Sequence, residues 1–276
     1  TINSTNITNK NFTWNTSITL SHNKNSVKKL TGEDVQLWEA NFGYSQNTHI
    51  IGVNQPLGQM YGYVTDGLYQ VSDFDYDAAT KTYTLKDGVP YAGEKGNVKP
   101  GMWKFKNIDG SKDNKITEAD KTVIGNAYPK IYGGINNTFT YKDFDLSIFL
   151  TYSIGNDVFN ATKLTNTKTA LQNKNVLAVA DSKHRWVLVN KAGDLITDPQ
   201  EMADINKGKT VAAIYDNEAG DTYIHSWAVE DGSFLKLSNI TLGYTFPKKM
   251  IRKVGLSKLR LYATGSNLLT WTKYSG

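Results

Sequence analysis

The chain has 276 residues, no Cys, 39% hydrophobic and 12% aromatic residues and a formal net charge of +5. No stretch approaches the roughly twenty apolar residues of a spanning helix, so a membrane helix is excluded while a membrane β-barrel is not. Without Cys there is neither a disulfide framework nor a thiolate metal site.

The opening TINSTNITNKNF has no basic n-region and no apolar h-region, so no signal peptide is expected, and it leads through polar turn chemistry into a strand. In FTWNTSITLS, Phe12, Trp14, Thr16, Ile18 and Leu20 alternate with Thr13, Asn15, Ser17, Thr19 and Ser21. Period-two alternation of this length predicts a long strand. GQMYGYVTDGLYQ at 58–70 reads as one glycine-bearing strand, and 73–101 as a polar excursion full of turn residues. No pairing is assigned to 44–105.

NIDGSKDNKITEAD at 107–120 places oxygen-bearing side chains at Asn107, Asp109, Ser111, Asp113, Thr117 and Asp120, with Ile116 to pin the loop. Calcium takes six to eight hard oxygen ligands, so Asn107, Asp109, Asp113 and Asp120, with the Lys115 backbone carbonyl, are candidate ligands of a structural calcium ion. The loop is about two residues longer than EF-hand spacing, and Asp120 stands where that motif has Glu. The alternative is an acidic turn closed by Asx hydrogen bonds.

IYGGINNTFTY at 131–141 and FDLSIFLTYS at 144–153 repeat the alternation and are separated only by Lys142-Asp143. Ordinary strands run about five or six residues, whereas a tilted membrane strand needs roughly nine to eleven. One face is apolar, the other carries small uncharged Ser, Thr, Asn and Gly, and Tyr141, Tyr152, Tyr244, Phe246 and Tyr262 gather near strand ends. These are the features of an outer-membrane wall, although a large soluble β-sandwich or solenoid shares the alternation. The outward set is expected to include Ile135, Phe139, Leu146, Ile148, Ile240 and Leu242.

Gly155 to Asp231 reads as a long polar loop, within which 161–186, bearing Leu164, Leu171, Val176, Leu177 and Val179, predicts one or two helices. The aromatics Trp186, Tyr215, Tyr223 and Trp227 suit either sugar faces or loop packing. PKKMIRKVGLSK at 247–258 is basic but lacks interleaved aromatics and any nucleic-acid motif, and reads as a solvated turn beside a membrane surface. LRLYATGSNLLTWTKYSG runs through a last strand and stops on Ser275-Gly276, so both ends look cut from a longer chain.

No catalytic constellation is present. His22, His49, His184 and His225 form no HExxH pair, and there is no GxSxG elbow, P-loop or GxGxxG. Glu230-Asp231 are adjacent strand residues that point to opposite faces. A non-enzyme without a cofactor requirement for chemistry is expected.

The runs at 109–160, VEDGSFLKLSNITLGYTFPKK and LRLYATGSNLLTWTKYSG resemble, in order, the C-terminal barrel region of the SusC/RagA-type TonB-dependent outer-membrane transporters of Bacteroidota. NKNFTWNTSITLSHNKNSVKKL and PLGQMYGYVTDGLYQ resemble the same family. The resemblance implies an all-β fold: residues 1–276 would be the C-terminal portion of a transmembrane antiparallel barrel of the 22-strand plugged class, carrying later strands, long extracellular loops and a short helical loop segment. It implies that the plug, N-terminal accessory domain, TonB box, earlier strands and extreme C-terminus lie outside this chain. The function implied is TonB-dependent import of a nutrient, an oligosaccharide by preference, across the bacterial outer membrane. The partners implied are a SusD-like surface lipoprotein, the TonB complex and outer-membrane lipid, with no nucleic acid. A peptide importer of the same family and a non-transporting surface β-protein are the alternatives. The loop between Gly155 and Asp231 would meet the lipoprotein or cargo. The family's compact DxNGDGxI loop is lengthened here by GSKD, with Asn107 at its first acidic position, which weakens the case for a cation.

Overall fold

The computed structural model describes residues 1–41, 45–167, 175–214 and 223–276. A hairpin of β1 (Ile2–Thr8) and β2 (Phe12–Ser21) opens the chain. A long excursion then carries β3 (Val35–Asn41), β4 (Ser45–Gly52), β5 (Gln59–Gly62), β6 (Thr65–Leu68), β7 (Phe74–Asp77) and β8 (Thr82–Leu85). It continues through β9 (Tyr91–Ala92), β10 (Trp103–Phe105), β11 (Lys115–Ile116) and β12 (Thr122–Asn126). A second hairpin, β13 (Ile131–Tyr141) and β14 (Phe144–Ile154), precedes another excursion with β15 (Asp157–Phe159), α1 (Ala161–Thr165), α2 (Pro199–Ile205) and β16 (Val229–Asp231). The chain closes with β17 (Phe234–Thr245), α3 (Lys248–Ile251) and β18 (Arg260–Thr272).

Two compact units result. The first, Thr1–Asn25, Asn126–Val158 and Glu230–Gly276, is built on a six-stranded sheet in the order β1-β2-β13-β14-β17-β18, antiparallel at every pairing. The long strands start where alternation predicts: β2, β13 and β14 have 10, 11 and 11 residues. β17 and β18 are longer still, at 12 and 13 residues. Register keeps like with like, with Ile18, Ile135, Leu150 and Leu237 in one cross-strand row and Trp14, Phe139, Leu146 and Leu242 in another. All six residues expected on the outward face therefore share one face of the sheet.

One irregularity preserves that division. Strict alternation along β17 from Ile240 would turn Ser238 and Lys236 toward the apolar face. The register shift between Leu237 and Asn239 absorbs one residue, so Leu237 pairs with Leu150 and Leu269 while Lys236 joins the polar face.

The sheet reverses briefly at one end, through 9–11, 142–143 and 246–259, and sends both long excursions from the other. No helix among the described residues is long and apolar enough to cross a membrane. A closed barrel is not formed by these strands alone.

Those excursions, Ser26–Gly125 and Phe159–Val229, make the second unit, which has its own core. Tyr63, Trp103, Phe105, Trp186, Ile196 and Met202 are buried together there. The single strand expected over 58–70 is two: β5 pairs with β4, and β6 pairs with β10, because the chain changes partner at Tyr63-Val64. Among the described residues of 161–186, helix is found as α1, where Asn160 Oδ1 accepts the Lys163 N–H at 3.0 Å, and as a 3-10 turn at Ala178–Ala180; 168–174, with Leu171, lie outside the described residues. The unforeseen helix α2 has the usual start signals, with Asp198 Oδ1 accepting the Glu201 N–H at 2.8 Å and Pro199 in the first turn.

Candidate functional site

The first unit presents two chemically distinct walls. On the polar face, neighbouring strands are tied by side-chain hydrogen bonds: Thr5 to Asn15 (2.9 Å), Ser147 to Asn136 (3.1 Å) and Ser266 to Asn239 (2.7 Å). Thr151 and Ser238, 2.7 Å apart, extend the pattern. A hollow of about 320 Å³ on this unit is lined by Asn3, Thr5, Asn15, Ser17, Asn136 and Thr138. Uncharged donors and acceptors of this kind accommodate water or a neutral polar solute without fixing it by charge.

The apolar face is uncovered, with Leu242 52% exposed. Its few polar groups satisfy one another: Asn137 Oδ1 accepts from Thr16 Oγ1 at 2.7 Å and from Trp14 Nε1 at 3.0 Å. Such mutual pairing is what a wall in hydrocarbon requires, since water is not there to do it. Phe144 and Tyr244, 4.6 Å apart, and Tyr244 and Phe246, 4.9 Å apart, form an aromatic group at the short-turn end. Near it, on the polar face, Arg260 reaches Asp145, a pair that sequence reasoning missed although both residues sit on polar-face positions next to turns.

The acidic loop closes on itself. Asn107 Oδ1 accepts the Gly110 N–H (2.8 Å), Asp109 Oδ1 the Ser111 N–H (2.8 Å) and Asp113 Oδ1 the Lys115 N–H (3.1 Å). Asp120 is fully buried, with Oδ1 taking the Ile108 N–H at 2.7 Å and Oδ2 the Thr117 N–H at 2.8 Å. That is the geometry of the Asx-turn alternative. Among the described residues no group of three or more His, Asp or Glu side chains is arranged to hold a metal ion. The hydrogen bond from the Lys115 N–H, with help from Ser111, holds the Asp113 carboxyl below the usual carboxylate range.

The aromatics expected to meet substrate are packing residues where they are described. Trp186 is only 2% exposed, inside the core of the second unit, and so is not available to a ligand at the surface. Tyr223 packs edge-on against Tyr63 (5.1 Å) and Phe105 (5.4 Å). Trp227 lies 4.8 Å from Trp103 with the Lys163 ammonium 4.3 Å over its ring. Burial, then the Glu118 carboxylate, push the Tyr223 hydroxyl above its ordinary range. Tyr215 lies outside the described residues. Sequence reasoning missed His225, fully buried among Trp103 and Phe105 and 2.7 Å from Thr65 Oγ1; a lone His carries no pattern that would reveal it.

No family profile matches the chain. It is 32% identical over 277 residues to the TonB-dependent receptor P3 of Formosa agariphila, covering 100% of this chain and 24% of that protein. It is 29% identical over 294 residues to the TonB-dependent receptor P39 of the same organism, covering 98% of this chain and 26% of that protein. Against the TonB-dependent receptor SusC of Bacteroides thetaiotaomicron, identity is 26% over 279 residues, 100% of this chain and 23% of that protein. The chain thus spans about a quarter of the length of these curated relatives. In fold it is similar to a structure described as the RagAB peptide transporter, with a TM-score of 0.64 at 20% identity over 99% of this chain and 25% of that one.

Proposed function

From a chain homologous over its whole length to SusC-like TonB-dependent receptors, we propose a segment of the wall of a large plugged outer-membrane barrel, of the 22-strand class, that imports a nutrient. The observation that carries this reading is the six-stranded antiparallel sheet whose long strands divide into an uncovered apolar face and a polar face rich in Ser, Thr and Asn that also carries Lys236 and the Arg260–Asp145 pair. A surface adhesin would have to cover the apolar face or charge it, and neither is seen on this sheet.

Import against a gradient needs an element with two arrangements biased by an energy source. A hydrogen-bonded wall is unsuited to that, so gating is assigned to a plug driven by the TonB complex, and the partner-facing role to the second unit, opposite a SusD-like lipoprotein. The uncharged Ser, Thr and Asn of the polar face support an oligosaccharide as cargo. Trp186 lends that reading no support, being buried.

The test is uptake by cells expressing the complete receptor, with and without TonB and the cognate lipoprotein. Accumulation of labelled oligosaccharide that depends on both is expected. Uptake of peptides in its place would transfer the reading to a peptide importer, and surface display without uptake would end it.

A further inference from the structure

We propose that the reversal at 246–259 is an interfacial anchor that binds anionic phospholipid headgroups. Residues 247–258 contain Lys248, Lys249, Arg252, Lys253 and Lys258 and no acidic residue. None of the five forms an ion pair among the described residues. The adjoining reversals add Lys10 and Lys142 against the single acid Asp143.

The backbone holds this charge in a defined turn. α3 continues into a 3-10 turn at Arg252–Val254, which ends at left-handed Gly255 (φ 77°). The Gly255 N–H bonds Arg252 O at 3.1 Å and the Leu256 N–H bonds Ile251 O at 3.1 Å, while the Phe246 N–H bonds Leu259 O at 3.0 Å where the chain returns. Ile251 is buried at 3% exposure, yet Met250, Val254 and Leu256 project outward, Val254 at 70%.

Unpaired cations interleaved with exposed apolar side chains match the headgroup and acyl boundary of a bilayer, where the ammonium and guanidinium groups meet phosphate and the apolar groups leave water. Position points the same way. The turn joins two strands of membrane-spanning length, and Tyr244 and Phe246 stand beside it at the end of the first, where aromatic rings mark the interface. A free phosphate would account for the charge but not for Met250, Val254 and Leu256.

This inference rests on the membrane-wall reading, and the experiment separates the two. The complete receptor is assembled into nanodiscs of equal parts phosphatidylcholine and phosphatidylglycerol, and the lipid retained on gentle delipidation is identified by native mass spectrometry. Phosphatidylglycerol should be enriched, and replacing all five cations by Gln should reduce that selectivity roughly tenfold or more, with heat-modifiable gel migration unchanged. Met250→Ser, Val254→Ser and Leu256→Ser together should weaken retention of both lipids. Unaltered selectivity in the Gln variant, or displacement of phosphatidylglycerol by inorganic phosphate, would overturn the anchor and leave the wall intact. Failure of the wild-type receptor to enter nanodiscs would overturn the wall itself, and the anchor with it.

Discussion

Arg260 on β18 holds Asp145 on β14 across the intervening strand β17, with Nη2 to Oδ2 at 2.6 Å and Nε to Oδ1 at 3.1 Å. The bridge passes over Gly243, which pairs with Asp145 on one side and Tyr262 on the other. A Cβ added to Gly243 would lie 2.4 Å from Arg260 Nη2 and 2.6 Å from Asp145 Oδ1. Both atoms are the far ends of flexible, partly exposed side chains, so Gly243→Ala should push the pair apart at a cost no larger than that of losing it. Asp145→Asn, which removes only a partly exposed charge, should cost less than about 1 kcal/mol. Urea unfolding of the complete receptor compares the two, and a clearly larger cost for Gly243→Ala would show that the pair cannot yield.

Trp186 lies against Gly101, whose φ of 88° suits glycine and whose added Cβ would meet the indole Cδ1 at 2.5 Å. Trp186→Ala should open a cavity costing about 3–5 kcal/mol and make the second unit sensitive to protease. Should the variant keep its protease resistance while losing cargo affinity, Trp186 would be a ligand contact after all.

Ile148 pairs with Ile240 on the apolar face, whereas Ser147 pairs with Thr241 on the polar one. Arg at Ile148 should cost about 2–4 kcal/mol if that position lies near the bilayer midplane, and Arg at Ser147 far less. Folded yield in outer-membrane preparations reads the difference. Equal impairment would reverse or abolish the assigned facing.

The lowered Asp113 pKa ties the Asp113–Lys115 turn of the acidic loop to pH. The folded carboxyl holds its proton less tightly than the unfolded one, so its contribution is present above the unfolded pKa and is lost as pH falls through the folded value. The protection factor of the Lys115 amide, which divides out the intrinsic pH dependence of exchange, should fall over that acidic window in wild type, and Asp113→Asn should flatten the dependence. A pH-independent protection factor in wild type would remove Asp113 from the account.

The same loop sets an expectation for calcium. Because Asn107, Asp109, Asp113 and Asp120 already accept backbone N–H groups, chelation should leave the thermal midpoint of the complete receptor unchanged. A calcium-dependent rise abolished by Asp109→Asn would instead establish the cation at Asn107 to Asp120.

The sheet was legible in the sequence because a strand buries or exposes every second side chain, and that period survives in FTWNTSITLS, IYGGINNTFTY and FDLSIFLTYS without any partner. Periodicity also placed Ile135, Phe139, Leu146, Ile148, Ile240 and Leu242 on one shared face. It could not place Leu237, because a bulge shifts the period by one and is chosen by the partner strands β14 and β18.

The second unit was not legible for a different reason. Its core joins Tyr63 and Phe105 from one excursion to Trp186 and Met202 from the other, residues separated by a complete hairpin of the sheet. Short strands such as β9 and β11, of two residues each, carry no period at all. Aromatics spread through a polar segment therefore left sugar faces and loop packing equally open.

The sequence by itself thus determined the long strands, their two faces and the family resemblance, all of which rest on local spacing or on ordered runs of residues. Only the tertiary structure decided that two polar excursions share one core, that Trp186 is buried, and that Arg260 finds Asp145 over Gly243. Those outcomes depend on contacts between residues far apart in the chain, where burial is settled by which surfaces meet and not by the identity of any one side chain.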